Sequence, residues 1–219
     1  MAYVLTVAGD RPIRVAIWVC VKPSAIQRSV STSRGASPLS STSAGRDTSA
    51  RNRSASSGET PTPPWATVIS CADSRVPPEL IFGGLGVGEL FVARNAGNLV
   101  DTATLGTVEY GAAVLGSPLI VVLAHTSCGA VKAACDVVTK NATYPGAIGP
   151  MIKPILPAAL AVQKEPGDFV NNTARESAKR TAGRLTEAST LIAGLISSGK
   201  LKIAAAIYDL ETGAVTYLD

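Results

Sequence analysis

The strongest indication of the fold is the stretch Pro118-Leu119-Ile120-Val121-Val122-Leu123-Ala124-His125-Thr126-Ser127-Cys128. It begins with an apolar run rich in β-branched side chains, which is typical of a buried strand in a parallel sheet. A second such run, Trp65-Ala66-Thr67-Val68-Ile69-Ser70, precedes the motif Cys71-Ala72-Asp73-Ser74-Arg75. Open α/β sheets bind ligands in the loops at the carboxyl ends of their strands. The two motifs are therefore expected to meet at one edge of a sheet.

Strand and helix signals alternate through the rest of the chain. After the first motif the pattern predicts a short helix over 77–82, a glycine-rich turn over 84–88, a strand over 90–94, a helix from Asp101 to about Leu115 and, after the second motif, a helix over 130–138. The turn lacks the glycine spacing of a nucleotide-binding loop and precedes a strand, so we do not interpret it as one.

The last third of the chain predicts helices and then a hairpin. Residues 141–167 contain five prolines and indicate a broken helical connector, whereas 169–197 predicts one long helix. Two apolar runs, 202–208 and 214–218, are separated by turn residues, which is typical of a β-hairpin. The predicted fold class is therefore α/β, with a mostly parallel central sheet flanked by helices and an antiparallel hairpin at its C-terminal edge.

Composition divides the chain into two parts, residues 1–64 and residues 65–219. The first part carries eight Lys/Arg against three Asp/Glu, and the second carries twelve against thirteen. The basic charge thus belongs to the first part, and the second shows no basic excess that would indicate nucleic-acid binding. We expect residues 65–219 to form one folded domain that carries both motifs.

The N-terminal part is predicted to be disordered or aberrant. Its segment 23–64 contains twelve Ser, five Thr and five Arg and few large apolar residues, so it cannot bury enough surface to fold. We favour a linker or a misassigned start over a phosphorylatable tail or a transit-like segment. The apolar patch at 15–21 resembles a signal peptide weakly, and a docked strand explains it equally well.

Hydropathy indicates whether the chain contains a membrane helix, and the use of its cysteines indicates the redox compartment. No stretch reaches the roughly 18 apolar residues of a membrane helix. Two of the four cysteines lie in motifs with metal-ligand spacing, which favours reduced thiols, a reducing compartment and a cytoplasmic location.

The two motifs together contain a set of zinc ligands. Cys71, His125 and Cys128 offer two thiolates and one imidazole, donors that suit zinc better than magnesium or calcium, and His125 is the only histidine in the chain. Asp73 is close enough in sequence to supply a fourth ligand. If Arg75 instead pairs with Asp73, a water molecule can take the fourth position and be activated by zinc. A closed structural site is the alternative.

Two thiolates donate more electron density than neutral imidazoles. We therefore expect a bound water that is less acidic than in an all-histidine site, and activity that rises above neutral pH.

These residues resemble the β-class carbonic anhydrases, which carry Cys-x-Asp-x-Arg and His-x-x-Cys in this order. The resemblance covers roughly residues 65–219, through the segments 71–79, 90–98, 106–110, 125–130, 199–203 and 208–210. It implies reversible hydration of carbon dioxide to bicarbonate by zinc-bound hydroxide. It also implies that Cys71, His125 and Cys128 bind Zn²⁺, and that Asp73 and Arg75 form a catalytic dyad in which Asp73 doubles as a resting-state ligand.

The resemblance further implies a homodimer or a dimer of dimers. Family members usually begin with one or two helices that pack on the neighbouring subunit, and residues 1–64 contain no such pattern. A tryptophan that some members use to bind regulatory bicarbonate is replaced by Val68, so this regulation is not expected.

Two other functions use the same ligands. The chain could bind zinc without catalysis, or hydrolyse a carbon dioxide analogue such as carbon disulfide. Signatures of zinc deaminases and of thiol redox proteins are absent from the sequence. We interpret Cys135 as a buried packing residue, and Lys132 and Tyr110 as surface and packing residues.

Overall fold

The computed structural model describes residues 63–83 and 88–218 of the 219-residue chain. The predictions made for residues 1–62, and most of the glycine-rich turn, lie outside this range. Within it, no helix combines the length and the hydropathy that a bilayer span requires.

Five strands form one sheet. They are β1 (Ala66–Cys71), β2 (Leu90–Asn95), β3 (Leu119–His125), β4 (Lys202–Tyr208) and β5 (Val215–Leu218), in the order β2-β1-β3-β4-β5. The pairs β1–β2, β1–β3 and β3–β4 are parallel, and β4–β5 is antiparallel. This topology confirms the predicted α/β fold. Strands β1 and β3 are buried along their whole length, which explains why their sequences are continuous apolar runs rather than alternating ones.

Seven α-helices surround the sheet in the described part of the chain. They are α1 (Pro78–Ile81), α2 (Thr102–Glu109), α3 (Gly129–Lys140), α4 (Ile148–Ile152), α5 (Leu156–Val162), α6 (Phe169–Ala188) and α7 (Thr190–Ser197). Helices α4 and α5 and the 3₁₀ turn Lys153–Ile155 form the broken connector that the prolines predict. Helix α6 packs on β3, β4 and α5 and so covers one face of the sheet.

The helix predicted from Asp101 to Leu115 changes type part of the way along. Asp101 caps α2 as expected, since its carboxylate accepts a hydrogen bond from the N–H of Thr104 at 2.7 Å. From Tyr110 to Val114 the chain forms a π-helical turn. Gly111 lies against the sheet there, and a Cβ at this position would clash with the Thr67 hydroxyl and lie 2.8 Å from the Phe91 ring.

The prediction of a single helix over 169–197 is wrong, because the helix is interrupted at Ser189. This residue has an extended backbone (φ −132°, ψ 110°), and its hydroxyl accepts a hydrogen bond from the N–H of Ile192 at 3.1 Å. The same hydroxyl donates to Glu109 Oε1 at 2.6 Å. A serine that bonds to nearby backbone competes with helix continuation and instead caps the next helix. The chain therefore ends α6 at Ala188 and begins α7 at Thr190.

Candidate metal centre

Three potential metal ligands converge where β1 and β3 end. Cys71 is the last residue of β1, His125 is the last residue of β3, and Cys128 is the N-cap of α3. Because β1 and β3 are neighbours in the sheet, their carboxyl ends lie side by side. The donor atoms of these three buried residues all lie within 4.8 Å of one another. The structure thus brings together the three soft donors that the sequence predicts.

The imidazole of His125 is oriented as a metal ligand would be. Its Nδ1 lies 2.9 Å from the carbonyl oxygen of Thr126, so that nitrogen carries the proton and donates it to the carbonyl. The other nitrogen, Nε2, therefore carries the lone pair. It is buried and has no hydrogen-bond partner among the described residues. An unpartnered buried acceptor is costly, and coordination of a cation would satisfy it.

The two sulfurs are spaced as a tetrahedral zinc site requires. Cys71 Sγ and Cys128 Sγ are 4.0 Å apart, and both thiols are free. Zinc–sulfur bonds of about 2.3 Å in tetrahedral geometry would place two sulfurs roughly 3.8 Å apart. The residues present therefore fit a zinc ion with two thiolates and one neutral imidazole.

Of the two thiols, Cys71 is the one that ionises first. The pKa of Cys71 is lowered chiefly because the Cys128 thiol donates to its thiolate, which outweighs the cost of burial, and the N–H of Gly97 adds a further hydrogen bond. The N–H of Gly97 lies 3.4 Å from Cys71 Sγ. The pKa of Cys128 is raised, chiefly because its proton is shared with Cys71. A divalent cation that replaced this proton would hold both sulfurs as thiolates.

Asp73 is held by Arg75 at the edge of the centre. Arg75 Nε and the Arg75 backbone N–H each donate to Asp73 Oδ1 at 2.9 Å, and Arg75 Nη2 donates to Oδ2 at 2.7 Å. These bonds keep the pKa of Asp73 below the usual range of a carboxyl group. In the described residues, the group of close donor atoms contains Cys71, His125 and Cys128 and does not include Asp73. Ligation of zinc by Asp73 therefore stays a prediction.

The segment between His125 and Cys128 is anchored to the elements around it. The N–H of Thr126 donates to the Tyr208 carbonyl at 2.9 Å, and the Thr126 hydroxyl accepts from the N–H of Leu210 at 2.9 Å. Ser127 has a positive φ of 55°, and its N–H donates to Asn171 Oδ1 at 2.9 Å. Strand β4 and helix α6 thus fix the spacing of two ligands. Sequence analysis missed Asn171, because nothing in its local sequence links it to a motif 44 residues earlier.

The remaining candidates lie away from the ligands. Cys135 is buried in α3 and its sulfur lies 3.4 Å from the Thr173 hydroxyl, which fits a packing role. Lys132 is exposed and pairs with Asp136 at 2.7 Å. Tyr110 is half exposed, and its ring packs on Phe91 at a centroid distance of 6.1 Å.

Comparison with known proteins identifies relatives of this chain. The family model described as carbonic anhydrase matches residues 66–215. Carbonic anhydrase 2 of Mycobacterium tuberculosis is 36% identical over 156 residues, covering 71% of this chain and 75% of that protein.

Solved structures agree with the sequence relatives. The β-carbonic anhydrase CcaA superposes with a TM-score of 0.66 at 26% identity, covering 78% of this chain and 80% of that one. A β-carbonic anhydrase of Sordaria macrospora, described as tetrameric, gives a TM-score of 0.64 at 24% identity, covering 71% and 80%. The family match spans most of the chain and includes both ligand-bearing strand ends. This chain belongs to the β-class carbonic anhydrase family.

Proposed function

We propose that this chain catalyses the reversible hydration of carbon dioxide to bicarbonate, with a zinc ion held by Cys71, His125 and Cys128. The observation that carries the proposal is the buried Nε2 of His125, which has no hydrogen-bond partner among the described residues and belongs to a group with two free thiols. Family membership supplies the reaction, since the curated relative from Mycobacterium tuberculosis is a carbonic anhydrase.

A zinc ion held by these three residues would supply Lewis-acid chemistry, lowering the pKa of a water at its open position towards neutrality. The protein must hold the donors in place and keep the reacting water oriented. The hydrogen bond from His125 Nδ1 to Thr126 fixes the imidazole with Nε2 free. The N–H of Gly97 stabilises the thiolate of Cys71.

Asp73 and Arg75 form the orienting pair of the site. Arg75 keeps Asp73 ionised, and an ionised carboxylate only accepts hydrogen bonds. A carboxylate with a low pKa is a weak base, so Asp73 orients the water and does not store its proton. The chain has no second histidine to carry protons away. Proton export therefore depends on carboxylates, water or buffer.

The test is a stopped-flow hydration assay on zinc-loaded protein, with Asp73→Asn as the variant. Asparagine would place an NH₂ group in the position of an acceptor for Arg75, so the pair would be lost while the three zinc ligands stayed. We expect zinc content to be unchanged and activity to fall by about 10²-fold, as the loss of an orienting group does. The matched control is Asp136→Asn, because Asp136 is also ion-paired, to Lys132 and Lys140, but lies on the outside of α3.

The outcomes separate the alternatives. Full activity of Asp73→Asn would contradict the role of the pair. Stoichiometric zinc with no hydration activity in the wild-type chain would indicate a binding protein without catalysis. Hydrolysis of carbon disulfide without hydration of carbon dioxide would indicate the analogue hydrolase.

We also propose that the chain assembles as a homodimer or a dimer of dimers. The Sordaria macrospora relative is described as tetrameric. Tyr110 and Val114 leave an apolar surface, being 50% and 64% exposed. Strand β2 is an edge strand of the described sheet, and edges of this kind are commonly covered. Light scattering on the full chain tests the proposal, and a monomer at assay concentration would contradict it.

Three free thiols in the described residues support a reducing compartment.

A further inference from the structure

The loop that joins a zinc ligand to the orienting carboxylate is tied down by a residue outside both motifs. Arg94 lies on the edge strand β2, opposite Ser70 of β1. Its Nε donates to the carbonyl oxygen of Cys71 at 2.8 Å, and its Nη2 donates to the carbonyl oxygen of Asp73 at 2.6 Å. One guanidinium thus bridges the main chain of the ligand and the main chain of the acid.

The remaining contacts of this loop show what Arg94 adds. The N–H of Ala72 donates to the Asn95 carbonyl at 2.9 Å, which ties the middle of the loop to β2. The carbonyl of Asp73 also accepts from the N–H of Val76 at 3.1 Å, a contact made within the turn itself. Arg75 fixes the Asp73 carboxylate relative to its own loop. Of the hydrogen bonds described, the bond from Arg94 is the one that fixes the Asp73 main chain relative to the sheet.

We propose that Arg94 is a positioning residue for the metal centre, holding the Cys71–Asp73 loop so that the thiolate and the carboxylate keep their relative placement. The proposal rests on the proposed function, in which Cys71 binds zinc and Asp73 orients the water. Without Arg94 the main chain of Asp73 would be tied to the sheet only through its neighbours, by the bond from the Ala72 N–H to Asn95 and the bond from the Ser70 hydroxyl to the Val76 carbonyl. The pair would stay intact and yet point its carboxylate elsewhere.

Geometry, and not charge alone, makes arginine necessary at this position. The two carbonyls belong to residues on either side of Ala72, and two nitrogens of one rigid planar group reach them together. Lysine carries the same charge on a single nitrogen at the end of a flexible stem, so it cannot hold both carbonyls in a fixed relation. Among the described residues no carboxylate pairs with Arg94. Its partners are the two carbonyls.

The experiment compares Arg94→Lys and Arg94→Ala with wild type. The matched control is Arg180→Lys, because Arg180 is an exposed arginine of α6 that pairs with Glu176 at 2.6 Å. Three readouts are taken: kcat and KM for hydration, zinc affinity by chelator competition, and the absorption spectrum of the cobalt-substituted protein. The thiolate-to-cobalt bands report ligand geometry and do not depend on turnover. Circular dichroism identifies any variant that fails to fold.

We expect both Arg94 variants to fold, to lose about 10–100-fold in zinc affinity or in kcat, and to shift the cobalt spectrum, as outer-shell changes do. KM should change little, since the guanidinium of Arg94 is engaged by two main-chain carbonyls. Arg180→Lys should match wild type in all three readouts. Wild-type kcat and spectrum in Arg94→Lys would overturn the proposal, because charge alone would then suffice. If Arg94→Ala does not fold, the results for Arg94→Lys alone decide whether the proposal holds.

Failure of the proposed function would look different. A wild-type chain that binds cobalt but does not hydrate carbon dioxide would refute that function. The spectrum and the zinc affinity of Arg94→Lys would still decide whether Arg94 positions the loop.

Discussion

Replacing Ser189 by alanine tests the contact that interrupts the long C-terminal helical region. The residue is only 2% exposed, and its hydroxyl makes two hydrogen bonds. It accepts from the N–H of Ile192 at 3.1 Å and donates to Glu109 at 2.6 Å, so it joins the start of α7 to the end of α2. Alanine would remove both bonds while keeping the volume nearly constant.

The expected cost follows from these two bonds. Loss of an N-cap costs about 1 kcal/mol. Loss of a hydrogen bond to a charged group costs about 1.5–3 kcal/mol. Glu109 is only partly buried and can recover a bond to water, so we take the lower end of that range. The free energy of unfolding should therefore fall by about 2.5 kcal/mol, which lowers Tm by roughly 5–10 °C in a domain of this size.

Differential scanning calorimetry on the zinc-loaded protein measures this change. Ser197→Ala is the matched control, because Ser197 lies on the same helix, is exposed and bonds only to the Ala193 carbonyl four residues earlier, at 2.9 Å. That variant should stay within about 0.5 kcal/mol of wild type. Glu109→Gln, combined with Ser189→Ala in a double-mutant cycle, isolates the bond between the two side chains. A Tm for Ser189→Ala within 2 °C of the control would refute this reasoning.

Further predictions concern the metal ligands, packing and pH. Metal analysis should show that Cys128→Ser no longer binds stoichiometric zinc, whereas Cys135→Ser on the same helix still does. Equal zinc contents in the two variants would contradict the ligand assignment. Gly111→Ala should destabilise the protein by about 1–3 kcal/mol, because the added methyl group overpacks against Thr67 and Phe91. Gly194→Ala is the control, since that glycine has open space around it, and it should be neutral or stabilising by up to about 1 kcal/mol. Equal urea midpoints for the two variants would argue against the clash. The lowered pKa of Asp73 means that its pair with Arg75 stabilises the fold above the ordinary carboxyl pKa of about 3.9, and that this stability is lost as pH falls through the lower folded pKa. Carboxyl ¹³C NMR of the metal-free protein should therefore show Asp73 ionised below that value, and Arg75→Ala should raise its pKa; the same titration in both would contradict the assigned cause.

The sequence was most informative where one residue type has one physical explanation. Short continuous apolar runs rich in β-branched residues favour a strand covered on both faces, so β1 and β3 were predictable. Two cysteines and the single histidine at the ends of those runs left few choices for a zinc site. Asp101 was identified as a cap because an aspartate there directly precedes a helical pattern.

The features that were missed depend on partners far away in the sequence. Serine fits a helix well enough that Ser189 gave no local sign of a break, and its partner Glu109 lies 80 residues earlier. The π-helical turn coincides with the close approach of Gly111 to Thr67 of β1, which no periodicity reveals. The sequence placed Arg94 in a segment that resembles the family, but it did not reveal that the guanidinium reaches the carbonyls of Cys71 and Asp73.

The neighbouring placement of β1 and β3 has a consequence for how the native state is reached. Strand β2 lies between them along the chain but on the outer side of β1 in the sheet. Cys71 and His125 therefore meet only after two crossover connections have closed, and long-range closures of this kind are slow steps. A cation that requires all three donors binds tightly only to chains that have completed this assembly. Zinc uptake during refolding would then report when β1 and β3 have paired.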